Sequence, residues 1–518
     1  MSHKDDFIKE INEGYNFKGD SLVFGTAIYE QKPLKDVLIK IPLSTINRHG
    51  LIAGATGTGK TKTVQIFAEA LSDKSIPVLL MDIKGDLSGI AESGSSNPKI
   101  EDRHSKIGLT YQPKNFPVEF LTISDEKGTR LRATVSEFGP VLISKILELN
   151  DTQAGLIAVL FKYCDDNNLP LLDLKDFKKV LQFASNEGKN DIEKDYGSVS
   201  TSSLGTILRK VVELEQQGAE KFFGEKSFEV NDLLRIDENG NGVISVLRLI
   251  DLQDRPKLFS TFMLSLLAEI YSTFPELGDK AEPKLVIVID EAHLIFKEAS
   301  NALLSQIETI VKLIRSKGVG IYFCTQNPTD VPAAVLSQLG LKIQHALRAF
   351  TAQDRKMIKL TSENYPISQY YKTDELLTSL GIGEAAISAL NEKGIPTPLA
   401  ATLLCAPKSR MDILSPDELN QKISASKLAT KYNESIDRES AYEILNKKLD
   451  TARELDLKIP SETTYKTPKQ TQTRTKSSRA KKSTFEKVIN SPLSKQVGRT
   501  LVREITRGIL GVLGAGRR

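Results

Sequence analysis

Cysteine is scarce in this chain of 518 residues: Cys164, Cys324 and Cys405 are scattered, odd in number and without metal-ligand spacing. They read as buried thiols of a reducing compartment, which disfavours a disulfide-stapled fold and a cysteine-ligated zinc site. Long apolar runs are missing too. The longest, Leu156–Phe161, falls far short of the roughly 18 residues a membrane span needs. The first thirty residues are charged and hold no apolar stretch of the kind a secretory signal uses. Net charge is small as well, since 70 Lys+Arg against 66 Asp+Glu leave +4. What remains is a cytoplasmic protein of ordinary composition, 40% hydrophobic and 26% charged. At about 100–200 residues per domain it is long enough for roughly two to four compact units.

The small total hides an asymmetry. Ser461–Arg518 carries 14 basic and 3 acidic residues, a net of +11, so the preceding residues carry −7. A basic tail on an acidic body could meet a polyanion, or could be a solvated end that aids solubility. The tail's aromatics, Tyr465 and Phe485, are too sparse for a base-stacking platform. A nucleic-acid contact there would be electrostatic and blind to sequence.

The strongest feature is a glycine-rich loop. Gly54-Ala55-Thr56-Gly57-Thr58-Gly59-Lys60-Thr61 fits G-x-x-x-x-G-K-[ST] in full. Glycine lets the backbone turn so that successive N–H groups point at phosphate oxygens, at the positive end of the following helix. Lys60 then reaches the β- and γ-phosphates and the Thr61 hydroxyl ligates Mg²⁺. Lys62, next on the helix, completes the nucleotide-binding run. The context is right: Leu51-Ile52-Ala53 is a short apolar strand before the loop, and Thr61–Ser72 a helical stretch after it. The implied ligands are ATP and Mg²⁺.

A second acidic motif follows downstream. Leu285-Val286-Ile287-Val288-Ile289 runs into Asp290-Glu291-Ala292-His293, a buried parallel strand that delivers carboxylates to its C-terminal edge, where ligands bind in such sheets. Asp290 is expected in the Mg²⁺ shell. Glu291 is expected to polarise the attacking water, which favours hydrolysis over transfer to a small acceptor. His293 is either a nucleotide or substrate contact or a structural histidine. Ile321–Thr325 leads into Gln326, an amide placed to sense water or the γ-phosphate. Val78–Met81 ends in Asp82-Ile83-Lys84-Gly85-Asp86, where Asp82 either supports the metal or substrate, or caps a turn.

Apolar strands alternating with loops and helices predict an α/β fold around a mostly parallel sheet. Further strands are expected at Leu22–Tyr29, Val37–Ile41, Val118–Ile123, Gly242–Leu247, Lys342–Leu347, Glu384–Leu390 and Leu399–Cys405. Apolar residues three and four apart from about Glu137 predict a helical insertion. The chain is divided accordingly: a short N-terminal segment (1–45), a first part of the core (46–136), the mainly helical insertion (137–240), a second part of the core (241–410) and C-terminal helices (411–458). A disordered basic linker (459–484) and an amphipathic basic tail helix (485–518) follow. In that tail Phe485, Ile489, Leu493, Val497, Leu501, Ile505, Ile509 and Leu513 recur every four residues. The stripe would pack on the protein's own core, a neighbouring subunit, a membrane surface or nucleic acid.

The segments GATGTGKT, LVIVIDEAH, RSKGVGIYFCTQNPTDVP and QHALRAFT resemble the HerA/FtsK superfamily of P-loop ATPases. More closely, the chain resembles the bacterial family of HerA-like helicase C-terminal-domain proteins, over nearly its whole length. The resemblance implies a RecA-like ATPase core, a homo-oligomer such as a hexameric ring, and ATP between subunits. It implies nucleotide contacts at Gly57, Gly59, Lys60 and Thr61, metal and catalytic acids at Asp290 and Glu291, and a sensor at Gln326. Archaeal HerA translocases carry an N-terminal β-barrel of about a hundred residues; some fifty precede Gly54 here, too few for such a barrel.

Two function classes follow: a DNA translocase or helicase-like motor, and a nucleotide-dependent switch or assembly factor that moves no polymer. A small-molecule kinase is disfavoured by the Asp290-Glu291 pair. Transition-state charge on the γ-phosphate needs a second cation beside Lys60, and in P-loop enzymes an arginine supplies it. The candidates are Arg315, after the helix that follows the acidic motif, and Arg348, expected at the end of the Lys342–Leu347 strand. Arg315 is the first choice, because a helix terminus is better placed to face a neighbour.

Overall fold

The computed structural model describes residues 2–278, 282–297, 301–434 and 436–457. The linker 459–484 and the tail helix 485–518 read from the sequence lie outside the described residues. The described residues form two compact units, one drawn from 2–133, 145–148 and 212–436, the other from 134–144, 149–211 and 437–457.

The first unit is built on a twelve-stranded sheet. Its strands are β1 (Ser21–Tyr29), β2 (Lys32–Pro42), β3 (Gly50–Ala53), β4 (Val78–Asp82), β5 (Val118–Thr122), β6 (Thr129–Arg130), β7 (Ile244–Arg248), β8 (Leu285–Ile289), β9 (Val319–Thr325), β10 (Leu341–Gln344), β11 (Glu384–Ser388) and β12 (Ala400–Leu404). They lie in the order β2-β1-β12-β11-β10-β3-β9-β8-β4-β7-β5-β6. Every pairing from β10 through to β6 is parallel. The flank from β10 out to β2 is antiparallel. Strands β3, β4, β8 and β9 are buried at every position. A strand covered on both faces must be apolar at successive positions rather than at alternate ones, and that is how these four read.

Residues 1–45 are built into this unit. Ser2 caps the helix His3–Gly14 in a reciprocal capping box, and Phe7 and Ile11 on that helix are buried. The hairpin β1–β2 adds to the sheet through β12, and the buried Tyr15 hydroxyl donates to the carbonyls of Pro398 (2.8 Å) and Ile387 (3.0 Å).

The strand expected at Lys342–Leu347 ends earlier, at Gln344. The reason lies in its partners. Beyond Gln344 the chain leaves β11: Ala346 O accepts from Ala55 N (2.9 Å), and Leu347 N donates to Leu377 O (2.8 Å). Arg348 therefore sits in an exposed loop, not at a strand end, and its guanidinium donates to Thr378 O (3.3 Å).

The second unit is helical and joins two distant stretches of chain. Asn150 and Asp173 cap the helices Asp151–Asp166 and Leu174–Ser185. Asp176, 1% exposed, accepts from Leu172 N (2.8 Å) and from Tyr442 N (2.9 Å), so it pins the start of the helix Ala441–Leu457 against the earlier helices. Burial pushes the Asp176 carboxyl above the usual range despite these donors. The observed division differs from the insertion read as 137–240. The chain returns to the sheet unit at Val212, where Phe222 packs edge-on against Phe262 and Arg235 pairs with Glu119 at 2.7 Å. Among the described residues no helix is long and apolar enough to cross a membrane.

Candidate nucleotide site

Four neighbouring parallel strands end side by side. β3 runs into Gly54, β9 into Gln326, β8 into Asp290, and β4 ends on Asp82. Neighbouring strands are about 4.8 Å apart, so residues hundreds of positions distant in sequence meet along one edge. Register aligns them further. Met81 pairs with Ile289 and Ile289 with Phe323, which puts Asp82, Asp290 and Cys324 at one level.

The loop between β3 and the helix Lys60–Ser72 is shaped by close approach and unusual backbone. Gly54 has φ 153°, and a β-carbon there would lie 2.5 Å from that of His345. Gly57 has φ 76° with open space around it. Among the described residues, the amides of Thr56 through Lys62 make no hydrogen bond within the protein. They form a nest of free donors at a helix N-terminus, the arrangement that cradles phosphate. Thr58 braces the loop from within, its hydroxyl donating to Ala55 O (2.7 Å), and Gly383 N donates to Thr58 O (3.1 Å). The Lys60 ammonium folds back on the loop, donating to Gly54 O (2.6 Å) and Ala55 O (3.2 Å). Burial lowers its pKa.

The acids stand opposite. Asp82 is 1% exposed and accepts from the amides of Gly85 (2.8 Å), Asp86 (3.2 Å) and Leu87 (3.2 Å). It caps a turn, one of the two roles the sequence leaves open for it. Burial, then the nearby Asp86 carboxylate, push its carboxyl up to about 7. Burial and then Glu291 push Asp290 up to about 6, with the Cys324 thiol against it. Glu291 is 5% exposed and takes φ 46°, a left-handed conformation that disfavours a residue with a side chain by about 1–2 kcal/mol. Lys84 ion-pairs with one of its oxygens, and His293 Nδ1 lies 3.1 Å from the other.

The residues fit a magnesium ion. The Thr61 hydroxyl donates to Asp86 Oδ2 (3.0 Å), while Asp86 Oδ1 is buried with no hydrogen-bond partner. A buried acidic oxygen left over, beside carboxyls raised by burial and by one another, marks a place short of positive charge. Among the described residues no group of three or more His, Cys, Asp or Glu is arranged to hold a metal by itself.

A family model described as helicase HerA-like C-terminal matches residues 28–518. The chain belongs to this HerA-like family. Curated relatives include the DNA double-strand break repair helicase HerA of Sulfurisphaera tokodaii, 27% identical over 360 residues, covering 68% of this chain and 64% of that one. The protein of the same name from Sulfolobus acidocaldarius is 24% identical over 360 residues, with coverages of 68% and 64%. The HerA-like chain thus spans under two thirds of the length of these relatives. Among solved structures, plasmid coupling protein TrwB in complex with a non-hydrolysable ATP analogue shares the fold, with a TM-score of 0.50 at 14% identity over 79% of this chain and 95% of that one.

The remaining expected residues of this HerA-like site are placed as follows. Gln326 is exposed just past β9, between the phosphate loop and Asp290. The Lys62 side chain turns away from the loop, its ammonium held by Met411 O and, at 3.4 Å, by Gln65 Oε1, while its amide stays among the free donors. Arg315 precedes β9 and so lies at the opposite edge of the sheet from Gln326, half-buried. Among the described residues its guanidinium makes no ion pair or hydrogen bond. Sequence reasoning missed Lys84, Asp86 and His345. The turn after β4 was visible, but not that it reaches Glu291 and Thr61. His345 binds Thr63 Oγ1 through Nε2 (2.9 Å), and burial and then Lys60 hold it near pKa 4.

Proposed function

We propose that this protein is a magnesium-dependent ATPase that assembles as a ring of identical subunits and works as a DNA translocase or helicase-like motor. The observation that carries the reading is the convergence of the phosphate loop, Gln326, Asp290 and Glu291 on three adjacent strand ends. The free amides from Thr56 to Lys62 and the Lys60 ammonium would bind the phosphates. Thr61 and Asp290 would hold Mg²⁺, which when bound offsets charge on the β- and γ-phosphates. Glu291 would orient and deprotonate the attacking water, and Gln326 would sense the γ-phosphate. Arg315 of a neighbouring subunit is the first candidate to complete the charge on the γ-phosphate, with Arg348 the second.

The relatives named as DNA repair helicases support DNA as the polymer. The test is ATP hydrolysis with and without single- and double-stranded DNA, beside size-exclusion light scattering. Stimulation of hydrolysis by DNA and a mass of several subunits are expected. Hydrolysis indifferent to both DNA forms would overturn the motor and favour a nucleotide-dependent switch. A monomer at working concentration would overturn the ring.

A further inference from the structure

Lys84 has no part in the reading above, yet it makes the closest charged contact in the site. Glu291 is 5% exposed, and Lys84 ion-pairs with one of its oxygens; His293 Nδ1 lies 3.1 Å from the other without making a hydrogen bond to it. A carboxylate whose charge is already offset by an ammonium is a weaker base towards water. We propose that Lys84 is a positioning residue that holds Glu291 in an idle state until the terminal phosphate of a nucleoside triphosphate takes its ammonium. This rests on the reading of Glu291 as the hydrolytic base, and adds what releases it.

Three observations favour an exchange over a permanent brace. The Lys84 side chain is 38% exposed, against 6% for Glu291, so the pair opens on the lysine side. Lys84 also lies within electrostatic range of Lys60, so an anion seated against Lys60 attracts both ammoniums. Finally, the backbone on each side is fixed. Asp82 takes three amides of the turn that carries Lys84, and Glu291 is set at φ 46°. Only the flexible four-carbon arm of Lys84 has to swing, and an ammonium is a good point-charge ligand for phosphate. A diphosphate lacks the group that competes with Glu291, so it leaves the pair intact. The device would make the base available only when a triphosphate is bound.

The experiment is a double-mutant cycle on the full chain, with Mg²⁺ present, measuring affinity for ADP and for a non-hydrolysable ATP analogue. Lys84→Met should leave ADP binding within about twofold and weaken the analogue about tenfold, the size of one charged contact. Glu291→Gln removes the competing partner and should tighten the analogue where Lys84 is present, but not in the Lys84→Met background. Lys84→Arg should restore part of the triphosphate preference and part of the turnover, whereas kcat falls in Lys84→Met. If Lys84→Met melts early, Lys84→Gln replaces it in the cycle. Equal losses for ADP and the analogue, or additive effects of the two substitutions, would overturn the exchange while leaving the nucleotide site standing. Wild-type protein that binds neither nucleotide would overturn the site and this proposal together.

Discussion

Strand β3 has a buried histidine near each end of its path, and the two are unlike. At the amino edge, His49 is satisfied: Nε2–H donates to Val311 O (2.8 Å), and Nδ1 accepts from Ile321 N (2.9 Å). Burial holds it neutral, near pKa 4. At the carboxyl edge, His345 presses on Gly54 and uses Nε2, but its Nδ1 faces the backbone of Thr58 and Glu384 without hydrogen-bond geometry. The same contrast holds for the edges as wholes. At the amino edge both ring nitrogens of His49 are paired, and the half-buried Arg315 guanidinium is the exception. The carboxyl edge gathers free amides, an orphan oxygen on Asp86, carboxyls raised by burial and by one another, and a left-handed Glu291. Buried polar groups are normally satisfied, so a row of exceptions along one edge points to ligand, whereas a satisfied polar group points to stability.

The largest effects should come from the carboxyl edge. Lys60→Ala should abolish measurable ATP hydrolysis, a loss of at least about a hundredfold, with some loss of stability beside it, since its ammonium donates to the carbonyls of Gly54 and Ala55. The comparison breaks at Arg315, which lies on the amino edge of its own sheet yet is proposed to act on a neighbour. Arg315→Ala should lose about 10³–10⁵ in rate, and mixing it with Lys60→Ala protein should recover activity that neither has alone. Normal turnover by Arg315→Ala would return the amino edge to a purely structural role and make Arg348 the residue to mutate.

A smaller effect is expected of His49→Ala. It leaves Val311 O and Ile321 N unpaired, at about 1–3 kcal/mol each, which a denaturant melt would record. The kcat of the folded fraction should be unchanged; a matching fall in kcat would erase the distinction between the edges. Smallest is the pH effect. Asp82 titrates at about 7 in the fold against an ordinary 3.8, so near neutrality the folded chain keeps a proton that the unfolded chain has lost. Stability should therefore rise as pH falls from about 8 to about 6.5, and Asp82→Asn should flatten that rise. Below about 6.5 His49 and His345, both held near 4, should work the other way, because the unfolded chain takes up their protons first.

The parallel half of the sheet is legible in the sequence because its strands are apolar at every position, a pattern that survives without knowing their neighbours. β10 is read too long, since Ala346 and Leu347 are apolar for another reason: they are buried beside the phosphate loop and Leu377. The loop Gly54–Thr61 is contiguous and so declares itself. The pairs that surround it are not contiguous. Lys84 with Glu291, Thr61 with Asp86 and Thr63 with His345 depend on strand order, which no local pattern encodes. Lys62 shows the converse, since adjacency to the motif brings its amide to the nest but not its side chain.

Asp176 and its hold on the start of Ala441–Leu457 have a consequence for synthesis. The helices up to 211 leave the ribosome about 230 residues before Ala441 does. At roughly 5–20 residues per second they wait on the order of ten seconds or more for the partner that covers them. During that time the nascent chain presents a half-built helical unit to chaperones and proteases, while the second half of the sheet, β7 to β12, is still being translated past it. Proteolysis of ribosome-bound chains halted before 437 and after 457 should cut the first set within 149–211 and spare the second.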